Sequence, residues 1–404
     1  MTVTIKPSVL SGRVNAPPSK SMAHRLLICA GLAEGESYIK NVAYSEDILA
    51  TLDCLQTMGA EVVRGTDYVK ILGASPLKSK AAEYFCRESG STLRFFVPLA
   101  MLSGDECSFT GSERLMERPM TVYENIARQK GLYYENTYGV LRIRGKLTSG
   151  IYKVAADISS QFISGLLFAL PLCDGDSEIH LKGKVESRSY IDMTLEAMGT
   201  FGVVASWKDD NILYIRGGQS YKSRELTVEG DYSNAAFLDA FNFVGGNVSV
   251  EGLRKDTLQG DAVYRKYFSL LSEGKAELDV SNCPDLAPIL MCLAAELNGA
   301  VLKGTARLRI KESDRGAVMK EELTKLGADI EIYENEIIIN KAQLKATNKP
   351  LLSHNDHRVV MSLAVLCSKY GGKISGCETV KKSYPDFFDC VRELGLEAQI
   401  NDNK

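Results

Sequence analysis

No apolar run in this chain approaches the roughly 18 residues that a membrane-crossing helix requires, which excludes a protein built on helical membrane spans. The opening stretch MTVTIKPSVLSG has neither the basic nor the apolar region of a secretion signal, so a cytoplasmic location is expected. Ten cysteines are scattered from Cys29 to Cys390 without a Cys-X-X-Cys pair, most of them inside apolar runs. They read as buried reduced thiols, not as a disulfide framework or a metal centre. Histidine is scarce, with four residues. His354 and His357 have a spacing that could hold a metal, but no further His or Cys group stands nearby, so no metal site is expected. Basic residues are not in excess: 48 Lys and Arg face 51 Asp and Glu, for a net charge of −3. That balance gives no general attraction to nucleic acid or to a membrane surface. Any anion binding must come from cations gathered locally.

What is present is an ordinary globular composition, 45% hydrophobic and 25% charged over 404 residues, enough for about two or three domains with real cores. The chain is organised around Ala16 to Leu32, where a Pro/Ser turn and the cluster Ser19, Lys20, Ser21, His24 and Arg25 run into an apolar stretch. Such a loop feeding a helix start presents unpaired N–H groups and about half a positive charge. The same plan recurs in ESGSTLR before FFVPLAML, DISSQ before FISGLLFAL, GDYSN before AAFLDAF, CPD before LAPILMCLAAEL and HNDHR before VVMSLAVL. With Lys20, Gly90, Ser160, Ser233, Asp285 and Asp356 as markers, the steps are 70, 70, 73, 52 and 71 residues. One unit has been copied six times.

Each copy carries a second, more amphipathic helix, as in SEDILATLDCLQTMGA or ESDRGAVMKEELTKLGA, with apolar positions at helical spacing and Gly near the end. Short β-branched or aromatic runs such as YVKILG, LRIRG, NVSVEG and EIIIN read as strands. Two helices with three or four strands per copy predict an α/β protein whose units must stack to bury their faces. No Pro/Ser/Gly-rich linker marks a boundary, so the six copies split most simply into three and three. The expected domains are 15–227, and 1–14 plus 228–404, with the N-terminal strand TIKPS completing a sheet of the far half.

Cations stand at the first-helix starts (Lys20, Arg25, Arg94, Arg358) and at the second-helix starts (Arg118, Arg188, Lys311, Arg315, Lys382). A cation there opposes the helix dipole at a cost of about 0.3 to 1 kcal/mol, and a solvated surface pair returns only about 0 to 1 kcal/mol. Repeating that cost is intelligible if the helix ends converge on polyanionic ligands, because charge-assisted bonds contribute more, about 1.5 to 3 kcal/mol each.

Nine segments, APPSKSMAHR, ESGSTLR, ERPM, ISSQF, VESRSYID, PDLAP, IKESDR, NDHR and KKSYPDFF, resemble the 5-enolpyruvylshikimate-3-phosphate synthases in order and over nearly the whole chain. The resemblance implies a two-domain inside-out α/β barrel, each domain three βαβαββ units about a pseudo-threefold axis, with the active site in the cleft between domains. It implies transfer of the enolpyruvyl group of phosphoenolpyruvate to the 5-hydroxyl of shikimate 3-phosphate on the route to chorismate, with no cofactor and no metal. It implies small-molecule partners only, with no nucleic acid or membrane, and a monomer is the default. By the same resemblance Lys20 touches both substrates. Ser21, Arg25, Ser159, Ser160, Gln161, Ser187, Tyr190, Asp285 and Lys311 hold shikimate 3-phosphate. Gly90, Arg118, Gln161, Arg315, Arg358 and Lys382 hold phosphoenolpyruvate. Asp285 accepts the proton of the attacking hydroxyl, and Glu312 is the candidate acid for the methylene carbon.

The residues also admit plainer roles: Ser19 and Ser21 as helix caps, Gly90 as a turn glycine, Tyr190 as core, Asp285 as a cap, Asp231 as a loop former and His357, which could otherwise orient a neighbour, as a satisfied helix-start histidine. Two positions depart from the family, which commonly has asparagine where this chain has Glu88 and Arg307. The nearest rival is the sister enolpyruvyltransferase acting on UDP-N-acetylglucosamine, which typically shows Lys-Asn where this chain has Lys20-Ser21 and a reactive cysteine where Glu113 to Arg118 has none. A non-catalytic anion-binding scaffold is the other alternative.

Overall fold

A computed structural model describes residues 1–78, 80–155 and 158–402; Asp157, which opens the third polar cluster, lies outside them. The chain divides into two compact units, one of residues 20–229 and one of residues 1–19 with 230–404. The crossings fall at Ser19/Lys20 and Glu229/Gly230, a few residues beyond the boundaries expected from the repeats.

Residues 20–229 form three four-stranded sheets of one design. In the third copy, Gly150–Ala155 runs parallel to Ser177–Lys182, which pairs antiparallel with Ile212–Ile215, and that strand with Ala205–Asp209. The second copy repeats this order with Ala82–Phe85, Cys107–Thr110, Val140–Arg144 and Tyr133–Thr137. In the first copy the leading strand comes from the far end of the unit, Glu225–Thr227, laid parallel to Glu36–Lys40. One helix leads into the second of the parallel strands in each copy: Lys20–Leu32, Gly90–Ala100 or Ser160–Ala169. These three helices are buried on nearly every face, which is why they read as continuous apolar runs. Two of them touch backbone to backbone: a Cβ on Gly165 would lie 2.3 Å from the Arg94 carbonyl oxygen. The second helices, Glu46–Met58, Thr121–Lys130 and Arg188–Thr200, bury one face.

In the other unit, the fifth copy pairs Ala276–Asp279, Ala300–Lys303, Glu336–Asn340 and Asp329–Ile332 in the same order. The sixth is completed by the N-terminus: Thr2–Ile5 lies between Gly372–Ser375 and Ala398–Asn401, in the place the fourth strand of a copy takes elsewhere. The fourth copy explains the short 52-residue step. Its helix Tyr264–Glu273 leads directly into Ala276–Asp279, the first strand of the next copy, so it has no hairpin of its own. Its parallel pair is Ser11–Asn15 with Asn247–Glu251. Buried helices Tyr232–Ala240, Ala287–Glu296 and His357–Tyr370 fill the unit. The helices Tyr264–Glu273, Arg315–Lys325 and Phe387–Glu393 flank them.

Polar residues ahead of the helices do the capping expected of short side chains. Ser89, Ser159, Asp231 and Asp356 accept from Thr92, Gln161, Asn234 and Arg358 N–H respectively. All ten cysteines are free, nine of them buried. No helix among the described residues is long and apolar enough to cross a membrane.

Candidate active site

In residues 20–229 the helix starts are tied together by buried polar chains. His24 Nδ1 meets Thr51 Oγ1 at 2.7 Å, Thr51 meets Thr92 at 2.8 Å, and Thr92 Oγ1 donates to Ser89 Oγ at 2.7 Å. Burial, reinforced by Lys20 and Arg25, pushes the His24 imidazole well below its ordinary value, so it belongs to the scaffold as a neutral ring. Arg25 is buried, and it donates from Nε to Thr194 Oγ1 at 2.9 Å, from Nη1 to the Ser21 carbonyl at 2.6 Å and from Nη2 to the Tyr190 carbonyl at 2.8 Å. Three of its five N–H donors therefore brace Ser21, Tyr190 and Thr194, and burial brings its pKa down to about 10. Ser187, buried ahead of helix Arg188–Thr200, adopts left-handed φ of 56°.

A second group gathers around Gly90. A Cβ there would meet Nη1 of Arg118 at 2.6 Å and Nη1 of Arg94 at 2.8 Å. Only glycine leaves space for two guanidinium groups over the helix start. Arg94 donates to Gln161 Oε1 at 2.8 Å, and Gln161 Nε2 donates to Ser91 Oγ at 3.0 Å, so Gln161 is held between the second and third copies. The Arg118 Nε is buried with no acceptor among the described residues, and its segment borders a cleft of about 500 Å³ with Pro119, Glu124 and Tyr134. Ser160 is also buried at the start of its helix, while Lys20 Nζ sits 2.7 Å from Asp47 Oδ2. Glu88 borders a smaller cleft with Phe85 and Arg87, and Arg87 is committed to Glu46 at 2.5 Å and Asp53 at 2.7 Å.

In the other unit the expected residues form one cluster. Asp285 receives Arg315 Nη1 on Oδ1 at 2.6 Å and Arg358 Nη2 on Oδ2 at 2.9 Å, with Lys311 Nζ at 3.5 Å. Arg315 also donates from Nη2 to Glu312 Oε2 at 2.9 Å and from Nε to Asp356 Oδ2 at 2.8 Å. Burial alone would raise the Asp285 carboxyl, but the charges of Arg358, Lys311 and Arg315 outweigh it and hold it well below the usual carboxylate range. Lys311 is brought down to about 8, first by burial and then by neighbouring cations including Arg315 and Arg307. Asp261, whose Oδ2 accepts from Ser233 Oγ, is pushed up to about 7 by burial and by the Asp285 charge. Lys382 stands at the edge, donating to the Asn355 carbonyl at 2.7 Å. Arg307 is buried and donates to the Ser281 carbonyl at 3.0 Å.

Asp47 and Asp261 were not singled out from the sequence, and Asp356 and Arg94 were read only as a repeat marker and a helix-start cation, with no substrate assigned to them. Asp356 caps its helix and anchors Arg315; its place directly ahead of His357 and Arg358 was the available signal. Arg94 and Asp47 lie on helix starts already read, but their partners, Gln161 and Lys20, come from other helices. Nothing local to Asp261 announces its approach to Asp285.

Two α/β units, with guanidinium and ammonium groups at helix starts, and one of them setting carboxylates among those cations, form arrangements suited to holding anionic small molecules and to moving protons beside them. A family model described as EPSP synthase (3-phosphoshikimate 1-carboxyvinyltransferase) matches residues 5–391. A protein named 3-phosphoshikimate 1-carboxyvinyltransferase from Clostridium kluyveri is 43% identical, over 98% of this chain and 97% of the relative. One of the same name from Clostridium beijerinckii is 40% identical, over 97% of each. The chain belongs to the EPSP synthase family. The solved EPSP synthase from Acinetobacter baumannii shares the fold, with a TM-score of 0.79 at 24% identity over 99% of this chain and all of the other.

Proposed function

We propose that this chain is a 3-phosphoshikimate 1-carboxyvinyltransferase, acting in the cytoplasm as a monomer. It transfers the enolpyruvyl group of phosphoenolpyruvate to the 5-hydroxyl of shikimate 3-phosphate and releases phosphate. The observation that carries the reading is the cluster Asp285, Lys311, Glu312, Arg315 and Arg358, in which two carboxylates share one buried guanidinium. The family membership supplies the substrates.

In this reading phosphoenolpyruvate is held by Lys20, Gly90, Arg118, Gln161, Arg315, Arg358 and Lys382. Shikimate 3-phosphate is held by Lys20, Ser21, Arg25, Ser159, Ser160, Gln161, Ser187 and Tyr190 together with Asp285 and Lys311. Glu312 delivers a proton to the methylene carbon, which leaves the adjacent carbon electron-poor. The 5-hydroxyl oxygen adds there while its proton passes to Asp285, giving a tetrahedral intermediate. The methyl group then returns a proton to Glu312, which restores the double bond as the carbon–oxygen bond to phosphate breaks, and the proton held by Asp285 passes to the departing phosphate.

Asp285 is a poor base while Arg315 and Arg358 hold both its oxygens, because a strongly stabilised carboxylate has little affinity for a proton. Substrate carboxylate and phosphate compete for the same guanidinium groups. As they take over those bonds, the Asp285 carboxylate regains basicity where the hydroxyl arrives. Base activation is thus coupled to loading of the anionic substrate.

Phosphate release from phosphoenolpyruvate, measured with shikimate 3-phosphate, with UDP-N-acetylglucosamine and with no acceptor, tests this. Turnover is expected with shikimate 3-phosphate alone. Turnover with the nucleotide sugar selects the sister reaction, and none with either selects a binding scaffold.

A further inference from the structure

Helix Arg315–Lys325 begins at the cluster and carries, seven residues after Arg315, a carboxylate with no part in the chemistry above. Glu322 is fully buried. It accepts from the Leu352 backbone N–H at 2.9 Å and from Lys325 Nζ at 2.8 Å on each oxygen, and its Oε1 meets His354 Nε2 at 2.7 Å. Glu321, Glu322 and His354 lie close enough together to suggest a metal, but the Lys325 ammonium already occupies both Glu322 oxygens, so the group is an ion pair built around a turn.

That turn is unusual. His354 and Asn355 are consecutive left-handed residues, with φ of 47° and 58°, a conformation uncommon outside glycine, which His and Asn adopt more readily than most residues. Immediately beyond the Glu322 contact, the Asn355 carbonyl receives Lys382 Nζ, and Asp356 receives Arg315 Nε and Ser313 Oγ at 3.1 Å. One helix therefore grips the same short stretch at both ends, through Glu322 at 352–354 and through Arg315 at 356.

We propose that Glu322 and His354 are positioning residues that lock the 353–356 turn, and thereby fix the orientation of Arg315 and Lys382 toward the anionic substrate. Neither touches the reacting atoms. The proposal deepens the enolpyruvyl-transfer reading and rests on it for its kinetic arm only.

The test is Glu322→Gln, which keeps shape and removes the charge, alongside His354→Asn, which loses the imidazole but tolerates left-handed φ. For Glu322→Gln the KM for phosphoenolpyruvate should rise about tenfold or more while kcat falls less than about threefold, with a near-native melting temperature. Amides 354–358 should exchange faster in the protein without substrate. His354→Asn should show the same pattern more weakly, and it supplies the readout if Glu322→Gln does not fold. Combining Glu322→Gln with Lys382→Ala should give less than the sum of their separate effects on kcat/KM. Native exchange at 354–358 with native KM overturns the proposal, as does a drop in melting temperature and kcat with KM unchanged. Wild-type turnover with shikimate 3-phosphate tests the underlying reading separately, and the exchange measurement stands without it.

Discussion

Arg118 places its Nη1 where any side chain at Gly90 would begin, 2.6 Å from an added Cβ. An alanine must displace a guanidinium that already has a buried nitrogen with no acceptor among the described residues.

Gly90→Ala is therefore expected to raise the KM for phosphoenolpyruvate about tenfold, a cost of roughly 1.4 kcal/mol in binding, while leaving the fold intact. Steady-state kinetics at saturating shikimate 3-phosphate read this directly, and an unchanged KM separates Arg118 from that substrate. The guanidinium groups that glycine leaves in place there should also bind glyphosate, an anionic mimic of phosphoenolpyruvate, in the native enzyme. An unaltered rate at millimolar inhibitor counts against it.

Proton transfer is probed by Asp285→Asn and Glu312→Gln. Each keeps the outline of the side chain, and each should lower kcat by at least ~100-fold. Asp285→Asn should not weaken binding of the anionic substrates, since it frees Arg315 and Arg358 from a competing carboxylate. Near-native turnover in both variants removes the two residues from the chemistry.

The ammonium of Lys311 titrates near 8 in the fold against an ordinary 10.5. As pH rises through 8 it loses its charge, so the KM for shikimate 3-phosphate should climb between about pH 8 and 10. The stability effect has the opposite sense. The unfolded chain binds more protons across that window, so this group's share of stability improves with rising pH. Lys311→Arg, which stays charged, should flatten the KM profile; a profile identical to that of the native enzyme shows that another group titrates.

Arg25 braces three partners from inside the unit. Arg25→Lys keeps the charge but cannot reproduce a planar fork, and it strands buried acceptors at about 1 to 3 kcal/mol. A lower urea midpoint is expected together with a higher KM for shikimate 3-phosphate, because Ser21 and Tyr190 lose their support. A native midpoint shows that the bonds from Arg25 are dispensable to the scaffold.

The repeats made the architecture legible, because apolar runs of helical length and strands bounded by turn residues follow from local periodicity. The helix starts at Lys20, Gly90, Ser160 and His357 coincide with polar clusters visible in the sequence. The fourth copy showed its shortened step but not the cause, since a missing hairpin leaves no residue to read. Partnerships were less accessible. Arg87 turning to Glu46 and Asp53, Arg94 reaching Gln161, and Arg315 bridging Asp285 and Asp356 depend on which helices pack together, and sequence spacing carries no information about that. Glu322 read as one more charge on an amphipathic helix; its burial follows from the 352–354 turn folding over it.

The strand Thr2–Ile5 pairs with residues 372–375 and 398–401. During synthesis, Thr2–Ile5 must wait for residues 372–401 before that sheet can close. Residues 20–229, by contrast, hold every strand of their three sheets within one continuous stretch and can complete themselves while the remainder is still being translated. A nascent chain halted after residue 300 should thus carry one finished unit and a Thr2–Ile5 segment not yet in its sheet, open to protease until residues 372–401 are made.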